Sequence, residues 1–388
     1  MKTHRIITLL VILPLLAGAC RKKSDEERAK PSPPAEIDPT PYVSTDFSAD
    51  GDVAVLQRAT EGRGIDIVIM GDGYSDRMVA DGRYEDMMQR AADAFFSEEP
   101  FASFRNLFNV YAVTAVSTNE TVGDDARTAL STSFEESTTV IDGDDSACFR
   151  YAQRVPELSG NAERLNELVI IVVVNEIRWA GTCYPYGPYS LADGVTILEG
   201  DYGRGLSITY SAYIDADDLV YTVVHEAAGH GFAKLADEYY TDDTAADDDD
   251  KAYFQWMQTY GYWRNIDFSG DAAKCVWAPY LTDTRYLNTD TGYFEGANYC
   301  RYGVWRPSRE SLMLYNTGGF NVISRETAYK RIHKLAYGDA WQFSREEFIE
   351  YDRRNISPAT ITARRSAIPA ARRLPPPRML DRTRLNMK

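Results

Sequence analysis

The sequence predicts an α/β fold in which a twisted mixed sheet packs against a backing helix and a second helix that carries two histidines. Three observations predict it. Apolar, β-branched runs are separated early in the chain by a stretch with helical spacing. One run, residues 168–174, is apolar throughout, which is typical of a central strand covered on both faces. A capped helical stretch farther along leads into His225 and His230.

The elements follow one another in a simple order. Each strand is predicted from apolar and β-branched residues, and the first one ends at a glycine-rich turn, residues 71–74. The backing helix follows from apolar residues at mixed helical spacing. Asp217 or Asp218 is the predicted N-cap of the histidine helix. The predicted strands are residues 65–70, 108–116, 168–174, 195–198 and 206–210, and the backing helix is residues 77–96.

Two of the chain's four histidines flank a short run with a glutamate, which reads His225, Glu226, Ala227, Ala228, Gly229, His230. Imidazole and carboxylate are ligands of Zn²⁺, and hydrolytic zinc sites use a nearby carboxylate as base. The run is one residue longer than the pattern His-Glu-x-x-His. The plainer interpretation is a helix with two unrelated histidines, one buried and one exposed.

The extra residue in the run has a geometric consequence. Side chains four apart on an α-helix are offset by about 40°, whereas side chains five apart are offset by about 140° and could not share one ion. A wide turn of π type absorbs one residue and is common at functional sites. We therefore predict a π-bulge between Ala227 and Gly229, where the side chains are small.

Two imidazoles leave zinc short of a ligand, and the candidates for the third are Asp237 first, Glu238 second and His333 third. Asp237 and Glu238 follow the helix, where a turn can return a carboxylate to the ion, although a solvated helix end explains them equally well. Glu226 is the predicted general base, because it sits beside a ligand and can reach a zinc-bound water.

A second feature lies farther along the chain. Residues 311–315 resemble the Met-turn of metzincins, in which a methionine lies beneath the metal, and here that residue is Met313. Tyr315, two residues on, is the candidate for stabilising the oxyanion. The alternative is that Met313 fills the core and Tyr315 is a packed aromatic residue.

With these motifs the chain resembles the bacterial IgA-peptidase-type zinc metalloendopeptidases, metallopeptidase family sixty-four. The likeness spans roughly residues 65–335. It rests on residues 70–74, 108–111, 174–175, 225–239, 311–313 and 320–326, of which Leu-Ala-Asp-Glu-Tyr at 235–239 is the most specific.

The resemblance implies a zincin/metzincin-like fold and a secreted zinc endopeptidase. It implies His225 and His230 as ligands, Glu226 as catalyst and an acidic residue near Asp237 as third ligand. Founding members have His-Glu-x-x-His, and some carry an extra N-terminal domain; this chain differs in both respects. The longer motif also occurs in the dipeptidyl-peptidase III family.

The N-terminus predicts export. Residues 1–20 combine a basic start, a short apolar run and small residues before Cys20, which resembles a lipoprotein signal peptide. An ordinary secretory signal is the alternative. Arg21 favours the outer membrane or surface of a Gram-negative bacterium. The predicted organisation is a flexible tether at 21–55, a metallopeptidase domain at 56–350 and a basic, proline-containing disordered tail at 351–388.

Composition narrows the class of protein further. A net charge of −16 argues against a nucleic-acid partner. The acidic run 241–250 is predicted to be a solvated loop. Beyond Cys20 four cysteines remain, and an even number in an exported chain favours disulfides. We predict that the nearby pairs bond, Cys148 with Cys183 and Cys275 with Cys300.

The predicted function is an exported, zinc-dependent metalloendopeptidase that acts as a monomer on protein or peptide substrates and is held at the membrane through lipidated Cys20. The alternative is a catalytically inactive surface lipoprotein of the same fold that binds proteins or glycans. IgA cleavage describes only some members of the family and is not predicted here.

Overall fold

The computed structural model describes residues 42–135, 138–186, 206–213, 215–315, 318–356 and 378–379. The strands are β1 (Val53–Gln57), β2 (Ile65–Asp72), β3 (Phe108–Val113), β4 (Ser133–Phe134), β5 (Ile141–Asp142), β6 (Val169–Ile177), β7 (Ala180–Pro185), β8 (Ser207–Tyr213), β9 (Tyr240–Ala245), β10 (Thr291–Ala297), β11 (Tyr299–Ser308) and β12 (Arg378–Met379). The helices are α1 (Asp76–Ala80), α2 (Arg83–Phe95), α3 (Asp145–Ala152), α4 (Ala162–Leu165), α5 (Ala216–Val223), a π-helix (Val224–Phe232), α6 (Asp248–Gln258), α7 (Ala278–Thr282), α8 (Leu312–Tyr315), α9 (Val322–Tyr337) and α10 (Arg345–Asn355).

A mixed sheet organises the fold, with the strand order β1-β3-β2-β6-β8-β7-β12. Its centre, β3-β2-β6-β8, is parallel, while β1 and β7 join antiparallel. A smaller sheet has the order β10-β11-β9. The predicted α/β class and mixed sheet are therefore confirmed.

Helices cover both faces of the large sheet, because successive side chains of a strand point to opposite sides. On β6, Val169, Ile171 and Val173 pack with α2, α5, the π-helix and α9. The alternate residues Ile170, Val172 and Val174 pack with α3 and α4. The prediction that residues 168–174 form a central strand buried on both faces is confirmed.

Most predicted elements appear with shifted ends. The predicted backing helix is split into α1 and α2 at Gly82, whose φ of 83° is left-handed and cannot continue a helix. Residues 195–198, a predicted strand, lie outside the described residues. The acidic run 241–250 is exposed as predicted, but it is not a loop: it forms β9 and the first turn of α6.

The ordered domain extends beyond both predicted boundaries. β1 pairs with β3 from Val53 onward, so residues 53–55 belong to the sheet and not to a tether. At the other end α10 continues past residue 350, and Asp352 forms a buried ion pair with Arg325 (Nε–Oδ1 2.6 Å). The predicted leader and most of the predicted tail lie outside the described residues. Among the helices that the structure describes, none is long and apolar enough to span a bilayer.

The predicted disulfides are wrong, since all four described cysteines carry free thiols. Cys148 packs on the α3 face of the large sheet. Cys183 lies on β7 and points to the opposite face, where it joins a cluster with Trp263. Cys275 packs in a different cluster from the one that Cys300 contacts. Nearness in sequence therefore did not bring either pair together.

Asp72 at the end of β2 anchors the connection that follows β3. The carboxylate is fully buried and accepts five hydrogen bonds, from Ser117, Thr128, Leu130 and Thr132, the last through both its N–H and its hydroxyl. A buried carboxylate is tolerated when its lone pairs are satisfied in this way.

We expect Asp72→Ala to lower the free energy of unfolding by about 3 kcal/mol or more, because several buried donors lose their acceptor at once. Urea denaturation followed by circular dichroism measures this. Asp86→Ala, which removes an exposed carboxylate from α2, should change stability by less than about 1 kcal/mol. Equal losses in the two variants would contradict the anchoring role.

Candidate metal centre

The helix that carries the histidines begins at Asp215. Its carboxylate accepts hydrogen bonds from the backbone N–H groups of Asp217 and Asp218 (3.0 and 3.1 Å). The predicted caps, Asp217 and Asp218, are therefore wrong; they lie in the first turn, where the helix dipole favours acidic groups. Asp215 has the extended backbone that an N-cap requires.

α5 continues directly into a π-helix that spans Val224–Phe232 and contains both histidines. Its wide turn is visible in the backbone hydrogen bond from Ala233 N–H to the Ala228 carbonyl, five residues back (3.0 Å). The predicted change to π geometry is confirmed, although it covers nine residues and not only the stretch from Ala227 to Gly229. The wider turn lets side chains five apart share one face.

Three side chains converge at this point. The Nε2 atoms of His225 and His230 lie 3.1 Å apart, and Asp237 Oδ1 lies 3.2 Å from each of them. All three residues are buried, and their ligand atoms fall within 4.8 Å of one another. Tetrahedral zinc with bonds of about 2.0–2.2 Å separates its ligand atoms by about 3.3 Å. The spacing of this cluster therefore fits a single zinc-sized cation.

Backbone carbonyls orient both imidazoles. His225 Nδ1 donates to the Leu312 carbonyl (3.1 Å), and His230 Nδ1 donates to the Leu235 carbonyl (2.7 Å). A carbonyl only accepts, so each Nδ1 carries the proton and each Nε2 presents its lone pair. Two lone pairs and a carboxylate oxygen thus face one another in a buried space. A cation between them would accept the lone pairs and balance the negative charge.

The electrostatics of the cluster agree with its geometry. Burial lowers the pKa of His225 and so favours the neutral imidazole that binds metals. Burial opposes ionisation of Asp237, but the two adjacent histidines outweigh it and hold the pKa of this carboxyl well below its usual range. Asp237 is therefore a carboxylate at neutral pH.

Tyr299 completes the surroundings of the cluster. Its hydroxyl donates to Asp237 Oδ2 (2.5 Å), the oxygen that faces away from the histidines. β11 places it there: Asn298 N–H donates to the Asp237 carbonyl, and Tyr299 N–H donates to the Tyr239 carbonyl. Sequence reasoning missed Tyr299, because no motif distinguishes it among 26 tyrosines.

Glu226, the predicted base, is fully buried next to His225. Neither of its carboxylate oxygens has a hydrogen-bond partner among the described residues. Burial, together with the charge of Asp237, raises the pKa of this carboxyl well above its usual range. A Cβ at Gly181 on β7 would lie 3.0 Å from Glu226 Oε1, so this glycine leaves room for the carboxyl group. An unsatisfied buried carboxyl beside a candidate metal ligand is suited to proton transfer.

Glu238, the second candidate ligand, does not join the cluster. Its carboxylate accepts hydrogen bonds from Asn265 (2.9 Å), Ser311 (2.6 Å) and Asn321 (2.8 and 3.0 Å). Its N–H donates to the Met313 carbonyl (2.9 Å). Glu238 therefore ties the segment after the π-helix to the turn that precedes α9.

His333, the third candidate ligand, lies elsewhere in the fold. It sits on α9, where its Nδ1 donates to the Tyr329 carbonyl (2.8 Å). Its ring stacks on Trp341 with 5.1 Å between centroids and meets Phe104 edge to face at 4.6 Å. It is an aromatic packing residue, and of the three candidate ligands only Asp237 lies beside the two histidines.

The turn at 311–315 lies against the π-helix. Met313 is fully buried, and a Cβ at Gly229 would lie only 2.6 Å from its sulfur. Leu312, next to it, supplies the carbonyl that orients His225. Tyr315 ends α8 and is half-buried; its role at an oxyanion stays a prediction.

One comparison with known proteins identifies the chain's relatives. A family model described as IgA Peptidase M64 matches residues 53–290, which is more than half of the chain. The match contains the histidine cluster and begins at the first strand of the large sheet. No curated protein matches the sequence significantly.

The close approach of Gly229 to Met313 predicts a steric test of the centre. Gly229→Ala should lower the free energy of unfolding by about 1–3 kcal/mol, because the new methyl group overpacks the contact between the π-helix and Met313. Thermal and urea denaturation measure the loss. Adding Met313→Ala should recover part of it by making space, and the absence of any such coupling would show that the contact is not tight.

Proposed function

The chain belongs to the IgA Peptidase M64 family, and we propose that it hydrolyses peptide bonds with a zinc ion held by His225, His230 and Asp237. Family membership indicates a peptidase. The dependence on zinc, the ligand set and the roles of individual residues are the proposal.

One observation carries the zinc assignment: three buried ligand atoms converge, and the described residues provide no cation to neutralise them. Two imidazoles and one carboxylate are a donor set that hydrolytic zinc sites use, with a fourth position left for water or substrate. Bound zinc supplies Lewis acidity, which polarises a carbonyl and makes water nucleophilic at neutral pH.

Within this scheme Glu226 acts as the general base. Its carboxylate takes a proton from the attacking water and returns it to the amine that leaves when the peptide bond breaks. Its burial and its lack of hydrogen-bond partners among the described residues support this role, since no neighbour there competes for the proton. Tyr299 acts as a positioning residue, because its hydrogen bond orients Asp237.

Tyr315 remains the candidate for stabilising the oxyanion that forms when water attacks the carbonyl. Its position at the end of α8, directly after the Met313 turn, supports this proposal. It is a separate assignment from the metal cluster and does not depend on Tyr299.

We further propose that the enzyme is exported and attached by lipid at Cys20 to the outer membrane or surface of a Gram-negative bacterium. The signal-like residues 1–20 and the charged, proline-rich stretch after them support this proposal. We propose that it acts as a monomer on protein or peptide substrates. No observation on the described residues favours the non-catalytic binding module over a peptidase.

Replacing the proposed base separates catalysis from metal binding. We expect Glu226→Gln to retain its zinc while losing about 10²–10⁴-fold in turnover, because an amide cannot accept the proton. Casein hydrolysis gives the activity, and elemental analysis of the purified protein gives the zinc content.

Two controls accompany this variant. Glu85→Gln, an exposed glutamate on α2, should keep full activity. Phenanthroline should abolish cleavage by the wild-type protein, and added zinc should restore it. Wild-type protein that contains no zinc and cleaves nothing, or a fully active Glu226→Gln variant, would contradict the proposal.

The hydrogen bond between Tyr299 and Asp237 makes a second prediction. Tyr299→Phe should weaken zinc binding by about 10–100-fold, as loss of a partner behind a metal ligand typically does. Competition with a chelator of known affinity measures it. Tyr302→Phe, at a tyrosine that is 44% exposed on the same strand, is the matched control. Equal zinc affinity in both variants would exclude a role for Tyr299 in positioning Asp237.

A further inference from the structure

A cavity of about 670 Å³ is lined in part by Ala233 and Lys234, which follow the π-helix, and its walls are basic although the whole chain carries a net charge of −16. Its lining comes from the residues that follow the π-helix, the turn after α6, one face of α9 with the segment after it, α4, and the loop before β2. None of the three converging ligands lines it. The cationic side chains of the lining are Arg63, Lys234, Arg264, Lys330, Arg331 and Lys334.

The basic character of α9 is concentrated on the face toward this cavity. Thr327, Lys330, Arg331 and Lys334 occupy positions i, i+3, i+4 and i+7, which share one side of a helix. Lys330 and Lys334 are four residues apart, and like charges at this spacing destabilise a helix. An anion bound against this concave wall would offset the repulsion between the two lysines.

Carboxylates offset only part of this charge. Lys330 pairs with Glu326, Lys334 with Asp339, and Arg63 with Glu163 and Glu167. Asp339 and Glu163 are largely exposed, at 98% and 66%, so solvent screens them. Positive charge therefore remains in surplus along the lining.

Two of the cations pair with no carboxylate within the described part of the chain. Arg264 is half-buried, and no hydrogen bond or ion pair engages its guanidinium there. Lys234 is only 2% exposed, and its ammonium group contacts two neutral oxygens, Ser207 Oγ (2.6 Å) and the Gly231 carbonyl (2.7 Å). Burial lowers the pKa of the Lys234 amine well below its usual range, and an anion in the cavity would favour its charged form.

We propose that this cavity binds a small molecule that carries at least two phosphate or carboxylate groups. The volume lies in the range of small-molecule sites, roughly 300–1,000 Å³, and exceeds what one inorganic ion fills. The guanidinium groups of Arg264 and Arg331 supply planar donors for such oxygens, and the lysines supply point charges. The net charge of −16 disfavours nucleic acid as the occupant.

Calorimetric titration of the full-length protein, in buffer without phosphate, tests the proposal. Fructose bisphosphate is the phosphate probe and tricarballylate the carboxylate probe; unphosphorylated fructose is the blank. We expect at least one of the two anions to bind and fructose not to bind. Binding of either anion supports the site, and their relative affinity shows which group it prefers. Failure of both at millimolar concentration would overturn the proposal.

Two variants locate the binding. Arg264→Gln and Lys334→Gln should each weaken the bound probe by about tenfold, the loss expected for one charge-assisted hydrogen bond. Arg83→Gln removes the same charge from an exposed position on α2 and should leave affinity unchanged. Circular dichroism confirms that each variant is folded. Equal weakening in all three variants would mean general charge attraction and would contradict a site in the cavity. The readout is binding, so it is independent of whether the chain proves to be a zinc peptidase.

Discussion

The convergence of three electron-rich atoms in a dry space is the constraint on which the rest of the site depends. His225, His230 and Asp237 bring two nitrogen lone pairs and a carboxylate oxygen within about 3 Å of one another. Burial removes the water that would otherwise separate them, so their mutual repulsion is stronger than it would be at a surface. A bound cation would turn this repulsion into coordination energy, and the metal would then contribute to the stability of the fold as well as to its chemistry.

Two groups of contacts hold that arrangement in place. The π-helix rotates His230 onto the side of His225, and backbone carbonyls of Leu312 and Leu235 set the two rings. The second group follows the helix: Glu238 binds Asn265, Ser311 and Asn321, and Tyr299 binds Asp237. These partners come from segments that are distant in the chain. A substitution at any of them would therefore change the positions of the cluster residues.

The basic cavity is connected to the same segment of backbone. Lys234 lines the cavity, and the next residue, Leu235, supplies the carbonyl that orients His230. Lys234 also has a left-handed φ of 55°, and its carbonyl accepts a hydrogen bond from Trp263 N–H (2.7 Å). The candidate metal cluster and the cavity are therefore connected through two adjacent residues, although none of the three converging ligands lines the cavity.

Local physical chemistry made much of this protein readable from its sequence. Unbroken apolar runs predicted the central strands, because a strand that is buried on both faces has apolar residues at every position. The spacing of His225 and His230 predicted a widened helical turn, because two rings five residues apart cannot otherwise meet. Asp237 followed as first choice because a carboxylate just past a helix can fold back to it.

Tertiary structure alone decided the rest, because those features depend on segments that are far apart in the chain. The cysteines stay apart since they fall on different faces and in different clusters, which no spacing reveals. Tyr299 reaches Asp237 only because β11 pairs beside the segment that follows the π-helix. The sequence by itself determined which residues could bind a metal; the packing of β11, the Met313 turn and α9 decided which partners hold them, because only a folded chain brings those donors within hydrogen-bond distance.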